Sequence, residues 1–355
     1  MSKANYNSID SQMSLFDNLS EVPREILPPS EKWDSFRFID LFAGIGGIRL
    51  GFESVGGRCI FSSEWDRKAS ETYKENFGEY PHGDITKIKT IDIPDFDILL
   101  AGFPCQPFSI IGVKEGFNHE TQGTLFFDIE RILQDCKPPA FMLENVRNLT
   151  AHDDGKTFRI IIEHLKTLGY HVHYKVLNAL NYGVPQKRER IIICGFINNV
   201  DFEFPPPVPE SEWLTLNDIL EPDDDIDKSL WVREEIKNSR VARMKVELKR
   251  PYITHENVGG SITPHYFSCA LRAGASANYI LINNERRPSI REMLRIQGFP
   301  DTYKSVGTYS AIKKQTGNSV AVPVIKAVAY EMLKALKLYE SRNDYARQNT
   351  GKTSS

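Results

Sequence analysis

FRFIDLFAGIGGIRLGFESV, residues 36–55, runs from an apolar stretch through a glycine turn into a helix-like segment without interruption. Residues 36–42 read as a buried strand carrying one acid, Asp40, and residues 45–55 as the helix that follows. Between them Gly44, Gly46 and Gly47 let the backbone approach a ligand where a side chain would collide. The same alternation continues outward. Residues 59–63, 96–101, 140–143 and 191–196 read as strands, and residues 66–77, 125–136 and 156–168 as helices. This pattern predicts an α/β fold: a doubly wound, mostly parallel sheet covered by helices on both faces. Ligands of such sheets bind beyond the C-terminal ends of the strands, so the loops there are where chemistry is expected.

The flanking segments differ in texture. Residues 1–35 are polar, contain Pro23, Pro28 and Pro29, and read as an extension with little structure of its own. The alternation stops near residue 204, where Pro205, Pro206, Pro207 and Pro209 precede an acidic run over 221–227. This divides the chain into a first part of the main domain (36–204), a second, smaller domain (205–287), a C-terminal part of the main domain (288–340) and a tail (341–355). Helical texture returns at 288–297 and 320–338.

Composition narrows the class. With 355 residues, 41% hydrophobic and 26% charged, the chain can bury a large core without metals or disulfides. Its five cysteines, Cys59, Cys105, Cys136, Cys194 and Cys269, are scattered and show no zinc-type spacing, which fits a reducing compartment. No apolar run reaches membrane-spanning length and the N-terminus lacks a signal-peptide plan, so a cytoplasmic protein with no membrane partner is expected. The net charge of −3 does not itself point to nucleic acid. Residues 233–250, however, hold seven basic side chains against three acidic ones. That stretch is either a solvated helix face or a phosphate-contacting surface.

Several strand ends carry reactive groups. Glu64-Trp65 ends the second strand, and 64 − 44 = 20 residues separate Gly44 from Glu64, an offset suited to a ribose-binding carboxylate. An adenosine-containing cofactor follows, either a dinucleotide or S-adenosylmethionine. Asp84, followed by Ile85, reads as a third strand-end carboxylate within reach of an adenine amino group. The next strand leads into GFPCQPFS, residues 102–109, and a glycine-bearing loop through Gly123. Cys105 sits there at the ligand end of the sheet, where a thiolate would be a strong nucleophile. Glu144-Asn145-Val146 places a carboxyl group on the same rim, a candidate acid. In Gln186-Lys187-Arg188-Glu189-Arg190, Arg188 and Arg190 alternate along a strand and point to one face, suited to an anion or carbonyl oxygen. Gly317-Asn318-Ser319-Val320 reads as the opening of the last helix.

Taken together these motifs, FxGxGG, PCQ, ENV, QxRxR and GNSV in that order, closely resemble the DNA cytosine-5 methyltransferase family, especially its bacterial restriction-modification members. The resemblance covers about residues 36–204 and 288–338. It implies a Rossmann-like methyltransferase fold with a target-recognition domain at about 205–287. It also implies an S-adenosylmethionine pocket lined by Phe42, Gly44, Ile45, Gly46, Glu64, Trp65, Asp84, Ile85, Pro104, Leu125, Asn318, Ser319 and Val320. Cys105 would be the nucleophile, Glu144 the cytosine-binding acid, and Arg188 and Arg190 would hold the base and the active-site loop. The last helix would pack back beside the first strand. The implied partner is double-stranded DNA, whose target cytosine flips into the pocket, with the loop over 109–123 closing on it. A monomer in the bacterial cytoplasm, associated with the nucleoid, is expected, with a cognate restriction endonuclease acting on the same site without stable association. One departure is Ala270-Leu271, where many relatives carry a Thr-Leu pair. The competing readings are a tRNA cytosine-5 methyltransferase, an NAD-dependent oxidoreductase with a catalytic cysteine, and a DNA-binding protein without catalysis.

Overall fold

The computed structural model describes residues 33–104 and 125–350, with side chains up to residue 343. Strand β1 (Phe36–Leu41) turns into helix α1 (Gly47–Glu53), followed by β2 (Gly57–Ser63), α2 (Arg67–Phe77) and β3 (Ile98–Gly102). Helix α3 (Leu125–Cys136), β4 (Ala140–Val146), α4 (Lys156–Thr167) and β5 (His171–Asn178) keep the alternation, and β6 (Gln186–Lys187) and β7 (Glu189–Phe196) follow.

The main sheet runs β2-β1-β3-β4-β7-β5. β1 pairs in parallel with β2 and β3, and β3 with β4, whereas β7 lies antiparallel to both β4 and β5. Side chains alternate between the faces, as the two-residue strand period requires. Phe36, Phe38, Ile98, Leu100, Met142 and Cys194 belong to one core, and Ile39, Leu41, Leu99, Phe141, Leu143 and Ile193 to the other. The first is covered by α1 and by the last helix, the second by α3 and α4. The fold is the expected doubly wound, mostly parallel α/β sheet.

The sequence pattern misses β5. Its residues 173–176 are at least partly exposed, so no clean apolar run marks it. The segment between β5 and β7 is shorter than the dozen or so residues a parallel crossover needs, so β7 returns antiparallel. Trp33 is a second difference: within the stretch read as an unstructured extension, it is 2% exposed and packs against Phe36 at 6.4 Å between ring centroids.

Beyond the main sheet come α5 (Leu216–Ile219), α6 (Glu234–Arg243) and strands β8 (Ile253–Glu256), β9 (Ile262–His265), β10 (Ser268–Cys269) and β11 (Ile280–Ile282). β8 pairs antiparallel with β9 and β11, and β10 pairs in parallel with β6. Helices α7 (Ile290–Ile296), α8 (Tyr309–Asn318) and α9 (Val322–Thr350) end the fold. Leu216, Ile219, Ile253, Tyr279 and Ile282 share a core with Met293 and Ile296 of α7. α9 continues to Thr350, past residue 340 where the sequence pattern places the start of a tail. Among the described residues no helix is long and apolar enough to cross a membrane.

The basic stretch 233–250 is largely neutralised within the protein. Arg240 is 1% exposed; it pairs with Glu256 at 2.8 Å and donates to Asn284 Oδ1, Thr254 Oγ1 and Asn278 O. Arg243 pairs with the same Glu256, and Lys237 and Arg250 both pair with Glu285. Four of its seven basic side chains are thus ion-paired within the protein, Arg240 alone of them buried, and these pairs tie α6 to β8 and to the segment after β11. Removing one partner of a buried ion pair strands the others without compensation. Arg240→Met should accordingly lose about 3–5 kcal/mol of stability in urea unfolding. A loss below about 1 kcal/mol would mark Arg240 as an ordinary surface charge.

Candidate active site

The glycine turn after β1 is held from three sides. Gly44 N–H donates to Glu64 Oε2 at 2.8 Å, so the carboxylate that ends β2 closes directly onto the turn. Glu64 Oε1 also accepts Asp66 N–H at 2.7 Å. Ala43 N–H donates to Ser63 O, and the Tyr303 hydroxyl donates to Ile45 O. Phe42, Gly44 and Gly46 all have positive φ, at 57°, 57° and 78°. For Phe42 this left-handed backbone costs roughly 1–2 kcal/mol, a strain that the surrounding bonds must offset.

The same turn meets the GNSV segment. A Cβ on Gly47 would lie 2.7 Å from Ser319 Oγ, 2.9 Å from Val320 Cγ2 and 3.2 Å from Phe299. A Cβ on Gly46 would lie 2.2 Å from the Phe77 ring. The fold thus brings residues 44–47, Glu64, Ser319 and Val320 to one place. Gly47→Ala should overpack this contact and cost about 1–3 kcal/mol in urea unfolding. Unchanged stability would show that the Ser319–Val320 segment can move aside.

GNSV itself differs from expectation. Gly317 and Asn318 end α8, and Ser319 is its C-terminal cap; α9 begins only at Val322. The segment joins two helices instead of opening one. α9 packs on α1, where a Cβ on Gly51 would lie 2.6 Å from Ile325, and it shares a core with Phe36 and Phe38 of β1.

Asp84 is also placed differently. It caps a 3-10 turn over Ile85–Lys87, accepting Thr86 N–H at 3.1 Å and the Thr86 hydroxyl at 2.8 Å, and no strand ends there. Ile85 is 2% exposed and packs with Phe61 and Phe103. Trp65, by contrast, is 80% exposed beside the buried Glu64. Pro104 and Asn318 are exposed, and Leu125 is partly buried at the start of α3. Cys105 and the loop over 109–123 lie outside the described residues.

Gly102 on β3 pairs with Glu144 on β4, and a Cβ on Gly102 would lie 3.6 Å from Glu144 Oε2. Asn145 donates its amide to Phe103 O at 2.9 Å, fixing the chain two residues before Cys105. Glu144 is 8% exposed, and its Oε1 lies 2.9 Å from Arg190 Nε. That N–H is not aimed at the oxygen, so Oε1 has charge compensation without a hydrogen-bond donor. A buried carboxylate oxygen in that state favours a partner that brings a donor.

Arg188 is 3% exposed and spends its guanidinium on main-chain carbonyls: Leu271 O at 3.1 Å, Gly317 O at 3.2 Å and Ser319 O. Burial, with the neighbouring Arg190 charge, lowers its pKa to about 9. It ties the GNSV segment and the chain near Ala270-Leu271 to the catalytic sheet. Gln186, 0% exposed, completes this knot by accepting Leu271 N–H at 3.1 Å and donating to Ile296 O and Gln297 Oε1.

Sequence reasoning missed Asp40, Gln297 and Tyr303 as contributors, and gave Gln186 no role beyond its place in the QxRxR motif. Asp40 is fully buried just before the glycine turn, and burial pushes its carboxyl up to about 8. A lone acid in an apolar strand is the one signal that could have flagged it.

A family model described as C-5 cytosine-specific DNA methylase matches residues 36–334. The Type II methyltransferase M.NgoBI of Neisseria gonorrhoeae is 54% identical over 292 residues, 82% of this chain and 91% of the relative. M.HaeII of Haemophilus aegyptius, another Type II methyltransferase, is 52% identical over 303 residues, 85% of this chain and 94% of its own. Among solved structures, the S. pombe Dnmt2 methyltransferase shares the fold with a TM-score of 0.64 at 18% identity, over 86% of this chain and 99% of that one.

Proposed function

The chain belongs to the C-5 cytosine-specific DNA methylases, and from that premise we propose that it methylates carbon-5 of a cytosine within a specific duplex sequence, through a covalent bond between Cys105 and the flipped base. The observation that carries this reading is the seating of Glu144 beside Gly102, with Asn145 holding Phe103, on the strand end that runs directly into Pro104 and Cys105.

The proposed chemistry begins with the Cys105 thiolate bonding to carbon-6 of the cytosine ring. Glu144 donates a proton or hydrogen bond at ring nitrogen 3, drawing the displaced electron pair toward that side of the ring. Carbon-5 becomes enamine-like and accepts a methyl group. Loss of the carbon-5 proton to a base then expels the thiolate and restores the ring. Arg190 places a positive charge 2.9 Å from that carboxyl group and would face the base. The target atom is closed off inside a stacked duplex, so the cytosine must flip out at a cost of roughly a few kcal/mol.

S-adenosylmethionine would supply an electrophilic methyl carried on a sulfonium sulfur. The residues present fit an adenosine-bearing ligand: a glycine turn with open space at Gly44, a carboxylate tied to it, and an exposed tryptophan beside that carboxylate. Phe42, Trp65, Ile85 and Pro104 would hold the adenine, with Asp84 toward its amino group and Glu64 toward the ribose. Gly44, Ile45, Gly46, Leu125, Asn318, Ser319 and Val320 would hold the remainder.

Residues 205–287 would form the target-recognition domain, and Arg188 would act as a positioning residue between it and the donor pocket. The likeness to Type II methyltransferases supports a role as the modification half of a restriction-modification system. The reading includes a monomer acting on the DNA of a bacterial cytoplasm. Tritium transfer from S-adenosylmethionine to duplex DNA, set beside transfer to tRNA, tests the reading. Incorporation into DNA followed by bisulfite sequencing should give one modified site; incorporation into tRNA alone would overturn it.

A further inference from the structure

Four basic side chains of the obvious basic stretch are engaged in ion pairs within the protein, whereas three cations elsewhere are not. Lys187, Arg272 and Lys313 come from β6, the turn after β10 and α8, three segments far apart in sequence. None of them makes an ion pair among the described residues. Arg272 and Lys313 converge around Tyr279: Arg272 Cζ lies 5.0 Å and Lys313 Nζ 5.4 Å from its ring centroid. Lys187 pairs on β6 with Cys269 of β10, three residues before Arg272. Among the described residues Lys313 donates a hydrogen bond only to Ala275 O. Arg272 approaches His255 Nε2 at 3.4 Å, and the His255 and Tyr279 rings meet edge to face at 6.5 Å. His265 stacks on Phe267 at 4.8 Å, within the field of Lys187.

We propose that Lys187, Arg272 and Lys313, with His255 and His265, form a phosphodiester-binding cluster that seats the DNA backbone next to the catalytic rim. This rests on the duplex-DNA reading above. The cluster adjoins the rim through the chain itself: Lys187 precedes Arg188, and Arg272 follows Leu271, whose carbonyl Arg188 holds. Like charges gathered in a chain of net charge −3 repel one another unless an anion joins them.

The two histidines add a proton-linked element. Burial, then Arg272, His265 and Arg240, hold the His255 pKa down; burial, then Lys187, do the same for His265. The nearest carboxylate in sequence, Glu256, is occupied by Arg240 and Arg243. A bound phosphate opposes these effects and favours the protonated rings, so binding should tighten as pH falls from about 7.5 to about 5.5.

The test is fluorescence anisotropy of a labelled random-sequence duplex between about 50 and 200 mM salt, where binding is dominated by phosphate contacts. Each of Lys187→Gln, Arg272→Gln and Lys313→Gln should lower the log Kd against log salt slope by about 0.9. S-adenosylmethionine binding and thermal melting should stay unchanged, which separates lost contact from misfolding. His255→Asn with His265→Asn should remove the pH dependence. An unchanged slope in the triple variant, with the slope lost instead in Arg233→Gln, Lys245→Gln and Lys249→Gln together, would overturn the cluster while leaving the methyltransferase reading intact. Wild-type protein that binds tRNA but no duplex would sink both.

Discussion

Cys105→Ser should lower kcat by at least about ten-thousandfold, judged by what loss of a covalent nucleophile costs elsewhere, while duplex affinity stays within a few-fold of wild type. A serine hydroxyl is hardly ionised at neutral pH and attacks carbon-6 far more slowly than a thiolate. The other cysteines cannot take over. Burial pushes Cys59 up to about 12 and Cys269 up to about 11, raises Cys136, and holds Cys194 well above the usual thiol range. Cys59 and Cys194 are moreover packed in the core below the sheet. Single-turnover methyl transfer measures the effect. Residual turnover within about tenfold of wild type would mean that no bond to Cys105 is needed.

The second large effect is expected at Glu144. Glu144→Gln keeps the volume and the contact with Gly102 but removes the carboxylate, so methyl transfer should fall by about 10²–10⁴-fold. Arg190 would lose the charge that faces it at 2.9 Å, while Asn145 would still hold Phe103 and the approach to Cys105. Affinities for duplex and for S-adenosylmethionine should change little, so the loss belongs to the chemical step. A variant with ordinary turnover would place the acid elsewhere on the rim.

The parts of the fold legible in the sequence are those set by local pattern. Residues 36–47 combine an apolar run with glycines at a turn, and both the strand and the turn follow from those residues alone. The spacing of Gly44 and Glu64 was readable because successive strand ends of one sheet are neighbours, and the structure joins them by a hydrogen bond of 2.8 Å. Asp84 was misplaced because it lies in a loop capped by a 3-10 turn, which has no periodicity to read. β5 escaped because its residues 173–176 face partly outward. GNSV looked like a helix start because Val322 and Pro323 begin one two residues later, and Pro323 sits in its first turn where proline is tolerated.

Charge was the least legible property. The stretch 233–250 looks basic because its counter-charges, Glu256 and Glu285, stand downstream in sequence and meet it only in the fold. Lys187, Arg272 and Lys313 look unremarkable for the converse reason: they lie on three separated segments, Arg272 and Lys313 meeting at Tyr279 and Lys187 pairing beside Cys269. Summed charge told nothing of either arrangement.

The most direct measurement uses duplex DNA in which the target cytosine is replaced by 5-fluorocytosine. Fluorine on carbon-5 cannot leave as the proton does, so the adduct should persist once the methyl group has been transferred. Incubation with S-adenosylmethionine, digestion and peptide mass spectrometry should find the oligonucleotide attached to Cys105 and nowhere else. Quantitative methylation of ordinary duplex with no trapped species, or attachment at another residue such as Cys269, would contradict the account.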